Sequence, residues 1–225
     1  MSIYITGDMH GDIDIHKFNA DKFPEGKTLT KDDYVIILGD FGLIWDLGNT
    51  DLYWLKWLTE KPWTTLFVDG NHENFDLLKT FPYEDKFNGK VQRITNSIFH
   101  LCRGEIYTIE DQTFFVMGGA QSTDKESRRS FISWWPQELP TYQEFDSGLR
   151  NLEKYDFNVD YILSHCTGTT IKKSFFPYMF DNDSLTDYLD AVYSETTFKS
   201  AFFGHYHADV SISKYHCLYN KIVKL

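Results

Sequence analysis

Residues 34–45 read YVIILGDFGLIW, and this stretch decides the fold. Five β-favouring residues, Tyr34 to Leu38, carry no polar interruption, as expected of a strand buried on both faces. Gly39 then permits an abrupt turn, and Asp40 stands at the strand's carboxyl end, where open α/β sheets place their ligand sites. A single such carboxylate carries little weight. Four other strand-like runs in the chain, however, end in comparable chemistry: Gly-Asp-Met-His at 7–10, Gly-Asn-His-Glu at 70–73, Ser-His-Cys at 164–166 and Gly-His-Tyr-His at 204–207.

Upstream, residues 2–6 form a short strand that stops at Gly7. In extended backbone, residues i and i+2 point the same way, so Asp8 and His10 can hold one cation between them. A carboxylate with an imidazole suits a borderline divalent transition metal. The same residues also read as an Asp- and Gly-rich turn. Residues 14–20 predict a short helix.

Downstream, Asn49 or Thr50 caps a helix with Asp51 in its first turn, a Leu52, Leu55, Leu58 stripe, and Trp54 and Trp57 as packing residues. Residues 64–68 are the next strand. Asn71 and His72 are adjacent and point to opposite sides, which predicts distinct roles: Asn71 as an oxygen ligand, His72 facing the substrate. Asp69 reads equally as a supporting residue or as surface. Residues 89–116 switch to short alternating runs, an antiparallel set in which His100 is structural. A helix over 141–155 opens on a Thr141/Glu144 capping box. Strands over 159–163 and 199–203 frame a helix over 184–193. Lys172–Lys173 read as a solvated charge pair or as an attraction for an anionic substrate. The tail predicts short antiparallel strands, with His216 and Cys217 as packing rather than a metal pair.

Residues 120–140, AQSTDKESRRSFISWWPQELP, are irregular. A loop this long in a compact domain is functional or mobile. Arg128 and Arg129 suit phosphate and Trp134 suits a base or ring, so a substrate-facing flap and a surface excursion pinned by its Trp residues are both open readings. The chain therefore reads as one domain, 1–225, with an insert near 120–140.

The bulk composition sets limits. Asp and Glu number 33 against 22 Lys and Arg, a net charge of −11, which does not suit a long nucleic-acid backbone. Three scattered Cys with no CxxC fit a reducing compartment better than a disulfide framework. No apolar run approaches ~18 residues. A cytoplasmic protein without membrane or duplex nucleic-acid partners is the expectation.

The ordered set of strand ends resembles the calcineurin-like metallophosphoesterase superfamily: GDMHG at Gly7–Gly11, GDFG at Gly39–Gly42, GNHE at Gly70–Glu73, His165 after its strand, and GHYH at Gly204–His207. The resemblance implies a four-layer α/β/β/α sandwich with mixed sheets. It implies a site for two divalent transition-metal ions (Mn, Fe, Zn or Ni), with Asp8, His10 and His207 on one, Asn71, His165 and His205 on the other, and Asp40 between them. His72 would contact the phosphoryl group and assist the leaving oxygen. The implied activity is phosphate-ester hydrolysis by metal-activated hydroxide on a small or nucleotide-like substrate. A cyclic-nucleotide or oligonucleotide diesterase is the alternative, and a non-catalytic scaffold a second one. In the protein Ser/Thr phosphatase branch, an acidic residue and an Arg follow the Gly-Asp strand end. Here Phe41, Gly42, Leu43, Ile44 and Trp45 follow Asp40, so that branch is disfavoured and Arg128 or Arg129 becomes the candidate substitute.

Overall fold

A computed structural model describes residues 1–179 and 181–225. In chain order the strands are β1 (Ile3–Thr6), β2 (Tyr34–Leu38), β3 (Thr64–Val68), β4 (Tyr83–Lys86), β5 (Gly89–Arg93), β6 (Ile98–Leu101), β7 (Ile106–Ile109), β8 (Gln112–Met117), β9 (Tyr161–Ser164), β10 (Ser200–Phe203), β11 (Val210–Ile212), β12 (Tyr215–Cys217) and β13 (Ile222–Lys224). The α-helices are α1 (Asn49–Thr59), α2 (Phe75–Leu78), α3 (Tyr142–Lys154), α4 (Thr169–Phe175) and α5 (Ser184–Glu195). The strands form a seven-stranded sheet, β13-β1-β2-β3-β6-β5-β4, and a six-stranded sheet, β11-β12-β10-β9-β8-β7. Both are mixed. β1, β2 and β3 run parallel in the first, and β8, β9 and β10 run parallel in the second.

Side-chain alternation along these strands builds four layers. Tyr4, Val35, Ile37 and Phe67 pack with Leu55 and Leu58 of α1 and with Phe75 and Leu78 of α2. Their neighbours Ile5, Ile36, Leu38, Leu66 and Val68 turn the other way and meet Phe114, Val116, Leu163 and Phe202 of the second sheet. Phe115, Met117, Ile162 and Ala201 in turn face Leu152 of α3 and Leu185, Leu189 and Val192 of α5. The order is thus helix, sheet, sheet, helix. A strand feeding two cores cannot afford a polar residue on either side, which is why YVIIL is uninterrupted. Each fully buried aliphatic side chain, such as Ile36, contributes roughly 1.5–3 kcal/mol.

Most predicted elements are present, with informative departures. The Thr141/Glu144 capping box opens α3. The predicted helix over 14–20 is a 3₁₀ turn, Ile15–Phe18. α1 starts at Asn49 with Gly48 as its cap, which has no side chain to offer, and Asp51 Oδ2 instead accepts the Trp45, Asp46 and Leu47 amides of the preceding loop. Leu52 is exposed, so the apolar stripe is Leu55 and Leu58. Residues 89–116 are not one antiparallel set. β5 and β6 pair antiparallel in the first sheet, β6 also runs parallel to β3, and β7 and β8 pair in the second sheet. β6 is buried at every position, which suits an interior strand with partners on both sides. The tail pairs β11 with β12 as expected, and β13 then crosses back to lie beside β1. No helix among the described residues is long and apolar enough to cross a membrane.

Candidate metal centre

The parallel strands of both sheets deliver their carboxyl ends to one place. The His10 amide donates to the Asp40 carbonyl at 2.6 Å, and the Gly204 amide to the His165 carbonyl at 2.9 Å. Side chains then lock the ends to one another: Asp8 Oδ1 accepts the His205 amide and Asp40 Oδ1 accepts the His72 amide, each at 2.8 Å. This interlocking explains the glycines. A Cβ at Gly70 would overlap the Asp40 carboxylate, and one at Gly204 would overlap that of Asp8. Four candidate ligands, His10, Asp40, His205 and His207, hold left-handed backbone with φ of 48°, 47°, 66° and 47°. Such conformations are uncommon for residues other than glycine and concentrate at functional sites.

Asp8, His10 and His207 each offer a ligand atom, and the three atoms lie within 4.8 Å of one another. Asp8 is fully buried, and its Oδ2 has no hydrogen-bond partner among the described residues. It lies 3.2 Å from His207 Nε2. An orphaned buried carboxylate oxygen is costly unless a cation meets it. His10 Nδ1 lies 2.8 Å from Asp14 Oδ2 and donates to it, which leaves Nε2 aimed at Asp40 Oδ2, 3.2 Å away.

On the other side of Asp40 stand His165 and Asn71. His165, fully buried, donates from Nδ1 to the Leu38 carbonyl at 2.7 Å. Its Nε2 faces Asn71 Oδ1 at 3.2 Å and Asp40 Oδ1 at 3.3 Å. Asn71 is oriented from behind. Ser122 donates its hydroxyl to Glu138 at 2.6 Å, so its oxygen is free to accept from Asn71 Nδ2 at 3.2 Å. The amide oxygen is thereby turned to the site. His205 lies against His165 edge to face, with ring centroids 5.1 Å apart. Asp40 touches both groups, one oxygen toward His10 and the other toward His165.

The electrostatics fit cation binding. Burial works against charge on Asp40, but His165, His10 and His72 together outweigh it and hold the carboxyl well below the usual range. Burial likewise opposes protonation of His10 and His165, yet the surrounding carboxylates raise them to about 9 and about 10. In the metal-free chain, protons stand where the lone pairs of neutral imidazoles would meet a metal. His205, lowered to about 4 by burial and by His165, is neutral. Two carboxylates, an amide oxygen and neutral imidazoles form a donor set that borderline divalent cations accept.

His72 sits at the same opening, with a ring nitrogen within 4.8 Å of ligand atoms of His10 and Asp40. Arg128 reaches it from the insert, with guanidinium nitrogens 3.2 Å from both ring nitrogens. A neutral imidazole offers one acceptor, so at most one of these contacts is a hydrogen bond. Arg128 is itself held by Asp124 at 2.8 Å and by the Ser133 carbonyl. Burial, with Arg128 and the neighbouring His rings adding to it, lowers the pKa of His72 despite Asp40. Arg129 is exposed, and only its backbone forms hydrogen bonds among the described residues. Trp134 is partly buried, with its indole Nε1 unpartnered among the described residues, whereas Trp135 packs in the core and donates to Asp76.

Asp69, for which supporting and surface readings were both open, is buried, paired with Arg103 and bonded to His100, and its carbonyl receives the Gly119 amide at the root of the insert. Other contributors went unread in the sequence. Glu73 accepts the Phe41 and Gly42 amides and so holds the turn after Asp40. Burial and Asp40 push its carboxyl up to about 8. Ser122 and Glu138 lay inside a stretch whose pattern pointed only to irregularity. Glu73 stood within a motif already quoted, and its polar character at a buried turn was the available signal.

A search of curated proteins found no match. Residues 1–209 match the family described as calcineurin-like phosphoesterase. That span holds every candidate ligand, His72 and Arg128, and two mixed sheets between helices accompany it. The chain therefore belongs to the calcineurin-like phosphoesterase family and is a metal-dependent phosphoric ester hydrolase.

Proposed function

We propose that the chain hydrolyses a small or nucleotide-like phosphate ester at a two-cation site. Asp8, His10 and His207 hold one cation, Asn71, His165 and His205 the other, and Asp40 is shared. The observation that carries the reading is Asp40, whose two oxygens face His10 and His165 separately, at 3.2 and 3.3 Å. Two such cations supply an activated water and offset the charge that builds on the phosphoryl oxygens.

The chain's own residues do the rest. His72, at the opening beside Asp40, is the group placed to assist the leaving oxygen. Arg128 supplies the phosphate contact that the turn after Asp40 lacks. The 120–140 insert acts as the substrate-facing flap, a role supported by the Ser122–Asn71 and Arg128–His72 contacts. A compact substrate is favoured by the net charge of −11 and by a cavity of about 320 Å³ beside His205 and His207, lined by Gln121, Thr123, Lys172 and Tyr206.

The test is a turnover screen of metal-reconstituted protein on phosphorylated metabolites and nucleotides, with bis-p-nitrophenyl phosphate set against p-nitrophenyl phosphate. Preferential turnover of a small monoester or nucleotide supports the reading. Preference for the diester would favour the cyclic-nucleotide or oligonucleotide alternative. No turnover of any ester would reject the proposal.

A further inference from the structure

We propose that Tyr219 is a positioning residue for one cation only, the one held by Asp8, His10 and His207. Tyr219 lies beyond residue 209, where the family match ends. The proposal rests on the two-cation reading above.

Three contacts from this one residue reach all three ligands. Its ring stacks on His207, with centroids 4.8 Å apart and planes at 17°. Its hydroxyl donates to the Asp14 carboxylate, 3.2 and 3.3 Å from the two oxygens, and Asp14 in turn receives Nδ1 of His10. Its carbonyl accepts Lys17 Nζ at 2.5 Å, and the same ammonium donates to the Asp8 carbonyl at 2.6 Å. The segment is anchored to the His207 loop, since the Tyr219, Asn220 and Lys221 amides all donate to Asp209. None of these contacts touches Asn71, His165 or His205.

His207 needs such support. Its side chain is 52% exposed, so packing alone does not fix the ring. A flat ring laid on one face holds the imidazole plane, in which Nε2 lies 3.2 Å from Asp8 Oδ2. The Tyr219–Asp14–His10 chain performs the orienting work that a carboxylate commonly does behind a metal-bound histidine. Removal of such an outer partner typically costs 10–100-fold in metal affinity.

The experiment titrates metal-free, full-length protein with Mn²⁺ by calorimetry and counts bound ions by elemental analysis. Wild type should take two equivalents. Tyr219→Leu should keep one with unchanged affinity and weaken the other by about 10–100-fold. Tyr219→Phe, which keeps the stack but loses the hydroxyl, should weaken the same equivalent less, and its effect should vanish in an Asp14→Ala background. The melting temperature of the metal-free protein should stay near that of wild type in Tyr219→Phe. Unchanged affinity at both equivalents, or equal loss at both, would overturn the proposal. If Tyr219→Leu does not fold, the Tyr219→Phe and Asp14→Ala pair decides alone, with additive effects counting against it. A wild type that binds fewer than two ions would fail the two-cation reading itself, before any variant is compared.

Discussion

The imidazole of His165 donates from Nδ1 to the carbonyl oxygen of Leu38, 2.7 Å away, and so presents Nε2 to Asn71 and Asp40. In the metal-free protein the carboxylates keep a second proton on this ring, pushed up to about 10, and on His10, at about 9, although burial opposes both. Metal binding through these two rings, as proposed, displaces those protons. Loading with divalent cations at pH 7 should therefore release about two protons from these rings, in addition to any lost by bound water. Affinity should fall as pH is lowered. Calorimetry in buffers of different ionisation enthalpy measures the release, and binding with no proton release would contradict the arrangement.

His72 and Arg128 should matter in different ways from Arg129. His72→Ala should lower kcat by ~10²–10⁴-fold if the ring assists the leaving group. Arg128→Ala should reduce kcat/KM by about 10²–10³-fold, the scale for loss of one charge-stabilising donor. Arg129→Ala should leave kcat/KM unchanged, because its side chain is exposed and points to no described partner. Steady-state kinetics on the best substrate from the screen separates the three, and full activity in Arg128→Ala would remove it from the phosphate site.

Arg128 also biases the protonation of His72. Burial is the main cause of the lowered pKa, and the adjacent guanidinium adds to it. A positive neighbour disfavours imidazolium, so Arg128→Gln should raise the His72 pKa. NMR titration of the metal-free protein reads this directly, and a fall in pKa would reverse the assignment of Arg128 as its neighbour.

Stability has its own buried charge pair. Burial alone would raise the Asp69 carboxyl, but Arg103, with Nη2 2.5 Å away, and His100 hold it well below the usual range. A depressed carboxylate contributes stability that is present above its unfolded pKa and is lost as pH falls through the folded value. Asp69→Asn should cost up to about 3–5 kcal/mol, since buried Arg103 then keeps only the more distant Glu144 carboxylate, 3.7 Å away, and the Gln137 and Glu138 carbonyls. The loss should be largest near neutrality and shrink below about pH 4, where wild type forfeits the same contribution. Denaturant unfolding across pH tests this, and a pH-independent difference would contradict it.

The site was legible where chemistry follows a strand and a glycine, because strand ends in a parallel sheet share one edge. Asp8, Asp40, Asn71 and His205 each follow a strand and a glycine, whereas His165 follows its strand through Ser164, and their grouping into ligand sets came from the resemblance. The four-layer architecture followed from the resemblance, and the double-sided burial of YVIIL is its physical counterpart. What could not be read were the contacts that orient ligands from afar. Tyr219 and Asp14 are 205 residues apart, and Asn71 and Ser122 are 51. Nothing in a local pattern distinguishes Asp69 at a surface from Asp69 against Arg103. Period-two alternation likewise shows that residues 89–116 form strands without telling which sheet each one joins.

The central claim is that one carboxylate, Asp40, serves two cations. The most direct test is anomalous diffraction from crystals of the protein grown with Mn²⁺. The account predicts two peaks, one beside Asp8, His10 and His207, the other beside Asn71, His165 and His205, with an Asp40 oxygen reaching each. A single peak, or two peaks of which only one is near Asp40, would contradict it.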